Sequence, residues 1–131
     1  MDPATIVSSI FDDAWNRQVF DAVAEPLREF EFHIRGTSRT MDIDELTAII
    51  ADWHDAFPDL RFDVHATVID DGRAAVHATL RGTHRGPWQG RPPTGRSIDV
   101  EHMFFFRFDG DRIVEVWELL DSAQLHDQLG T

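Results

Sequence analysis

Only Asp, Glu and His can move protons near neutral pH in this sequence. It holds 24 acidic residues and seven histidines, while cysteine and tyrosine are absent and all 12 basic residues are arginine. Thiol nucleophiles, lysine Schiff bases and phenolic oxyanion donors are therefore excluded before any motif is read. Two positions stand out by spacing. His102 alternates in step with Phe104, Phe106 and Phe108, so it shares a face with phenylalanines, either as a satisfied core residue or as an acid/base group. Asp121 lies one hairpin away, after Leu119-Leu120 and in step with Trp117 and Leu119. It is either a carboxylate in an apolar pocket or the cap of a terminal helix beginning Ser-Ala-Gln-Leu. His33 alternates with Glu29, Glu31 and Arg35, against Phe30, Phe32 and Ile34, which places it on the outer side of its strand. His33, His102 and Asp121 would compose a two-His-one-carboxylate set, but no compact His-x-x-x-His spacing accompanies them, and neither metal nor cofactor is expected.

The elements that must position these groups fall into three stretches. Val7, Ile10, Phe11, Ala14 and Trp15 recur at helical spacing, and Val19, Phe20, Ala22 and Val23 predict a short second helix stopped at Glu25-Pro26. Leu27 to Arg35 switches to period two, a strand ended by Gly36. Asp42 with Glu45 three residues on forms a capping box, and Leu46, Ile49, Ile50, Trp53 and Phe57 follow on one helical face up to Pro58. After residue 60 the pattern is sheet-like: Phe62 to Val68, the turn Asp70-Asp71-Gly72, Ala74 to His84, a Gly/Pro/Arg loop over 85–97 around Trp88, Ile98 to Phe108, Asp109-Gly110-Asp111, and Arg112 to Leu120. Ser122 to Leu129 predicts a last short helix. Helices followed by an antiparallel meander make an α+β chain, and 131 residues without repeats or linkers read as one domain over 1–131.

A net charge of −12 and a sequence pI near 4.7 disfavour nucleic acid and anionic membranes as partners. The amino terminus lacks a basic, apolar signal segment and no apolar run approaches a membrane span, so a cytoplasmic location is expected. Met103 and Phe105 fall on the outer sheet face beside His65 and His77, which predicts a homodimer through that face.

Gly82-Thr83-His84-Arg85-Gly86, Gly90-Arg91-Pro92-Pro93-Thr94-Gly95-Arg96, Phe57-Pro58-Asp59-Leu60 and Val114-Glu115-Val116-Trp117 leading to Asp121 resemble, in order and spacing, the SnoaL-like polyketide cyclases of the nuclear transport factor 2-like superfamily. The resemblance runs from about residue 5 to 130. It implies a cone: a strongly curved, mostly antiparallel sheet with the N-terminal helices packed on its concave face and a pocket between them. It further implies a cofactor-free intramolecular aldol condensation that closes a ring of an aromatic polyketide or its ester, with Asp121 at the position of the base. The superfamily's ketosteroid isomerases carry an acidic base three residues before a strand-ending glycine, where His33 stands before Gly36. Trp53, Trp88, Trp117 and Phe104 are then core or pocket wall, with Trp88 a lid over a flat substrate. Asp59 is able to cap a turn or face substrate, and His84 to anchor the loop that follows it or to bind substrate. Hydroxylation with a partner, isomerisation, epoxide hydrolysis and non-catalytic ligand binding are the alternatives. The absence of Tyr counts against both isomerisation and epoxide hydrolysis.

Overall fold

Asp2 opens the first helix by accepting the Thr5 amide at 2.8 Å, with Pro3 at the first helical position. In this computed structural model, which describes residues 2–130, helix α1 (Pro3–Ser9) widens into a π-helical turn over Ile10–Trp15. Val7, Ile10, Phe11, Ala14 and Trp15 all become buried, as the apolar stripe predicts, and Ile6 is buried with them. Gln18 then turns left-handed (φ 54°) and ends the helical run. Residues 21–27 form successive turns instead of the expected second helix. Only Val23 and Leu27 bury, each anchored by one backbone hydrogen bond, Val23 to Phe20 and Leu27 to Val23. Two buried residues give too little apolar area to hold a helix that ends at a proline.

Strands β1 (Glu29–Ile34) and β2 (Thr37–Asp42) are joined by Arg35-Gly36, both left-handed, as a two-residue hairpin turn requires. Helix α2 (Ile43–Ala56) follows, with the Asp42 carboxylate accepting the Glu45 amide at 2.9 Å. The meander is β3 (Arg61–Asp70), β4 (Arg73–Thr83), β5 (Ser97–Asp109) and β6 (Arg112–Leu120), and α3 (Ser122–Leu129) closes the chain. No helix among the described residues is long and apolar enough to cross a membrane.

The six strands form one sheet in the order β2-β1-β6-β5-β4-β3, parallel only between β1 and β6. This corrects the expected cone. The sheet is open, neither closed nor strongly curled, and β2 and β3 remain its two edges. Strong curvature needs repeated bulges or edge-to-edge pairing. Among the described residues the ladders are irregular only at Val64/Ala66 and at Arg107/Phe108. The β3 edge is instead covered locally by Asn16, whose amide bonds both the N–H and the C=O of Phe62 at 2.7 and 3.0 Å.

The core lies between one face of this sheet and the helices. Phe11 meets Phe104, Phe62 and Phe106 edge-on, with ring centroids at 5.1, 5.5 and 6.4 Å. Beyond the end of β6, α3 takes over its ladder positions: Gln124 and Gln128 accept the Glu101 and Asp99 amides, and Gln128 also donates to the Asp99 carbonyl. Leu125 and Leu129 bury underneath.

Candidate active site

Between the inner sheet face and α2 lies a cavity of ≈ 650 Å³, the size of a small-molecule site. Its sheet wall is Phe30, Phe32, Phe104, Phe106, Val116 and Leu120; α2 contributes Leu46, Ile49 and Trp53; the loop after β4 contributes Trp88. Trp53 and Trp88 meet at 5.4 Å and form an aromatic corner. Arg35, Thr37 and Arg39 from the β1–β2 hairpin, and Asp52 and Asp55 from α2, also line it.

One acid belongs to the sheet wall itself. Glu118 pairs with Phe104 across β5–β6 and so points inward between Val116 and Leu120. Its Oε2 lies 3.3 Å from Nε2 of His102, a ring only 1% exposed, stacked on Phe104 and edge-on to Phe62. The other ring nitrogen, Nδ1, is 3.2 Å from the Val100 carbonyl. That carbonyl can only accept, so Nδ1 carries hydrogen. Nε2 then faces the carboxyl, and the two can hold one further proton between them, as imidazolium–carboxylate or as neutral imidazole–carboxylic acid. Of this pair, Glu118 is on the cavity wall and His102 is behind it.

The segments around this wall hold the loop that carries Trp88. Asp59 accepts the Thr83 amide at 2.7 Å and the Thr83 hydroxyl at 2.8 Å. Partial burial pushes the Asp59 carboxyl up, but the two Thr83 hydrogen bonds, its own amide and the Arg85 charge outweigh it and leave it below the ordinary value. His84 Nδ1 accepts the Thr94 amide at 3.2 Å, and the His84 amide donates to the Arg96 carbonyl at 2.8 Å. The Arg85 and Gly86 amides both reach the Ala56 carbonyl at the end of α2, at 3.0 and 3.1 Å. A side chain at Gly86 would place its Cβ 2.0 Å from the Asp55 carbonyl oxygen. This latch clamps the 85–96 loop to α2 and sets Trp88 against Trp53.

The profile described as SnoaL-like polyketide cyclase matches residues 5–129. This chain belongs to that family. Solved structures agree on the fold: a SnoaL-like polyketide cyclase from Agrobacterium tumefaciens (24% identity, TM-score 0.77, 99% of this chain and 100% of that one), TsrD from Streptomyces laurentii (24%, 0.81, 99% and 98%) and IdmH from Streptomyces antibioticus (24%, 0.80, 100% and 100%). No curated protein matches.

Within this SnoaL-like chain the residues singled out from sequence divide by face. Trp53, Trp88 and Phe104 line the cavity, and His102 lies behind Glu118. Asp59 and His84 belong to the latch and are not on the cavity wall. Asp121 is exposed and caps α3 by accepting the Gln124 amide at 2.9 Å; its neighbours Leu120 and Ser122 reach the cavity, but it does not. Trp117 is on the outer face, stacked on His33 at 4.7 Å and edge-on to Phe105 at 5.5 Å. His33 is outside too, bound to Ser38 and Glu115. The three groups His33, His102 and Asp121 are thus not brought together. Among the described residues no three His, Asp or Glu side chains gather into a metal-holding group.

Glu118 is the residue that sequence reasoning missed. Ile113 is fully buried, and counting by twos from it puts Trp117, Leu119 and Asp121 inside. The ladder passes from Arg107↔Glu115 to Phe108↔Ile113, so Val114 is an extra residue that reverses the alternation. Beyond this bulge Val116, Glu118 and Leu120 face inward.

Proposed function

We propose that this SnoaL-like protein is an acid/base enzyme that closes a ring in a flat polyketide-like substrate by intramolecular aldol condensation, with Glu118 and His102 as the proton-carrying pair. The observation that carries this reading is the 3.3 Å approach of a buried histidine to the acid that stands among the aromatic and aliphatic residues of the sheet wall. In the step, the carboxylate of Glu118 removes a proton from carbon flanked by carbonyls, and His102 spreads the charge of the pair. The enolate carbon attacks a second carbonyl, a C–C bond forms, and the new alkoxide takes the proton back from the pair. Atoms and electrons balance within substrate and dyad, so the step consumes no cofactor. Trp53, Trp88, Phe104 and Phe106 supply flat apolar faces on which an aromatic substrate stacks.

The test is hydrogen–deuterium exchange and ring closure on aromatic β-keto esters in D₂O. Glu118→Gln should lose about 10²–10⁴-fold, whereas Asp121→Asn should keep most of its rate. Binding of the esters without exchange in the wild type would instead favour a non-catalytic ligand-binding module.

The same chain is proposed to pair with a second copy through its outer face. Val68 (64% exposed), Met103 (47%), Phe105 (37%) and Leu119 (67%) form an apolar stripe across β3–β6. Arg81 with Asp63 and Asp99, and His77 with Glu101, flank it with both signs of charge, which makes the face complementary to itself. Leu119→Glu should shift the protein to monomer in sedimentation.

A further inference from the structure

The outer sheet face carries a second constellation of reactive groups that the cavity chemistry does not use. Ser38 Oγ lies 2.7 Å from Nδ1 of His33, and Nε2 of the same ring lies 2.9 Å from Glu115 Oε2. Arg107 Nε donates to the other carboxylate oxygen, Oε1, at 2.6 Å. The Arg107 hydrogen bond foremost, then that from His33, holds the Glu115 carboxyl below its ordinary value. An ionised Glu115 can only accept, so it fixes hydrogen on Nε2 and leaves the Nδ1 lone pair facing the Ser38 hydroxyl. Stacking on Trp117 at 4.7 Å and 18° keeps the ring in that plane.

The strand register adds a further group. Ile34 and Thr37 flank the two-residue turn, so they form the hydrogen-bonded pair and His33↔Ser38 the next, non-hydrogen-bonded one. The Ser38 N–H therefore points away from β1. Because β2 is a sheet edge, that donor faces outward beside Ser38's own Oγ. A nucleophile hydrogen-bonded to a base, a base oriented by a carboxylate, and an unpaired amide beside the nucleophile are the parts of an acyl-transfer site.

We propose that Ser38, His33 and Glu115 form a second, surface acyl-transfer site that takes small activated esters. Ser38 Oγ attacks the ester carbonyl while His33 Nδ1 takes its proton. The Oγ–C bond forms, the ester C–O bond breaks, and the alcohol leaves with the proton from His33. Water, deprotonated by the same nitrogen, then releases the carboxylic acid and restores Ser38. The site lies on an open strand without a wall, which restricts it to short acyl groups.

The probes are a fluorophosphonate, which loses fluoride as an Oγ–P bond forms, and p-nitrophenyl acetate. The expected result is one label on Ser38, located by fragmentation mass spectrometry, and its loss in Ser38→Ala. His33→Gln should slow both labelling and ester turnover about 10²-fold or more, and Glu115→Gln should slow them with the circular dichroism spectrum unchanged. Absence of label, label on another residue, or wild-type rates in His33→Gln would overturn the proposal. None of these outcomes touches the Glu118 site, which is read separately by exchange on β-keto esters.

Discussion

Replacing Gly86 by alanine tests whether the latch, and not the loop's own sequence, positions Trp88. The added Cβ would lie 2.0 Å from the Asp55 carbonyl oxygen and 3.0 Å from its carbon. Carbon–oxygen contacts settle near 3.3 Å, so loop and helix must separate by about 1.3 Å. The Arg85 and Gly86 hydrogen bonds to Ala56, at 3.0 and 3.1 Å, cannot survive that displacement. Losing two such bonds costs about 1–3 kcal/mol, and the stiffer unfolded chain of the alanine variant returns about 0.4–1 kcal/mol. The net loss is about 1 kcal/mol, which at this chain length lowers Tm by about 3–5 °C. Because Trp53 and Trp88 are 5.4 Å apart, their mutual signal in near-ultraviolet circular dichroism should weaken together with the Tm. A Gly86→Ala protein with unchanged Tm and an unchanged aromatic spectrum would refute the reasoning, since the loop would then hold its place without contact to α2.

Other substitutions read other parts of the same argument. Asp59→Ala removes both acceptors of Thr83 and should cost about 1–2 kcal/mol in chemical denaturation. The folded pKa of Asp59 lies below the ordinary 3.8, so this contribution is complete above that value and fades as pH falls through the folded pKa. The gap between wild type and Asp59→Ala should accordingly close only in acid. Phe11→Ala removes the ring that joins the helix to Phe62, Phe104 and Phe106, and about 3–5 kcal/mol of stability should go with it in a thermal melt. Gln128→Ala deletes both of its bonds to the β5 backbone at Asp99, and hydrogen exchange at the Asp99 amide should accelerate while that of the β4–β5 ladder stays protected.

Much of the architecture was legible because its signals were local. The cap at Asp42, the alternation of β5 and the turns after β3 and β5 each state their own structure in a few residues. β2 was not legible: Thr37, Ser38, Arg39 and Thr40 are exposed, with Met41 buried alone, so an edge strand polar on both faces leaves no period to read. The open shape of the sheet, where a cone was expected, was not legible either, because the degree of curvature is set by bulge positions and edge pairing, neither of which composition displays. At the site, the inward alternation of β5 places His102 correctly, while the single bulge at Val114 exchanges Glu118 for its outward neighbours. Apolar residues on both faces of β6, Val116 inside and Trp117 and Leu119 outside, hide that reversal from any counting by twos.

Three of the four segments that carry the family resemblance do structural work. Phe57-Pro58-Asp59, Gly82 to Gly86 and Thr94 to Arg96 are accounted for by hydrogen bonds and close approaches that fasten one loop to the end of α2. Their physical work is to build a cavity with an aromatic corner, and that work is the same whatever reaction follows. Glu118 lies in the fourth segment, between Trp117 and Asp121, and His102 on the neighbouring strand, and nothing in the latch requires either of them to be acidic or basic. A chain could keep every latch contact and replace the pair by Leu and Phe without losing the cavity. Those three segments thus speak for the container, and the 3.3 Å approach of His102 to Glu118 is what argues for acid/base work inside it.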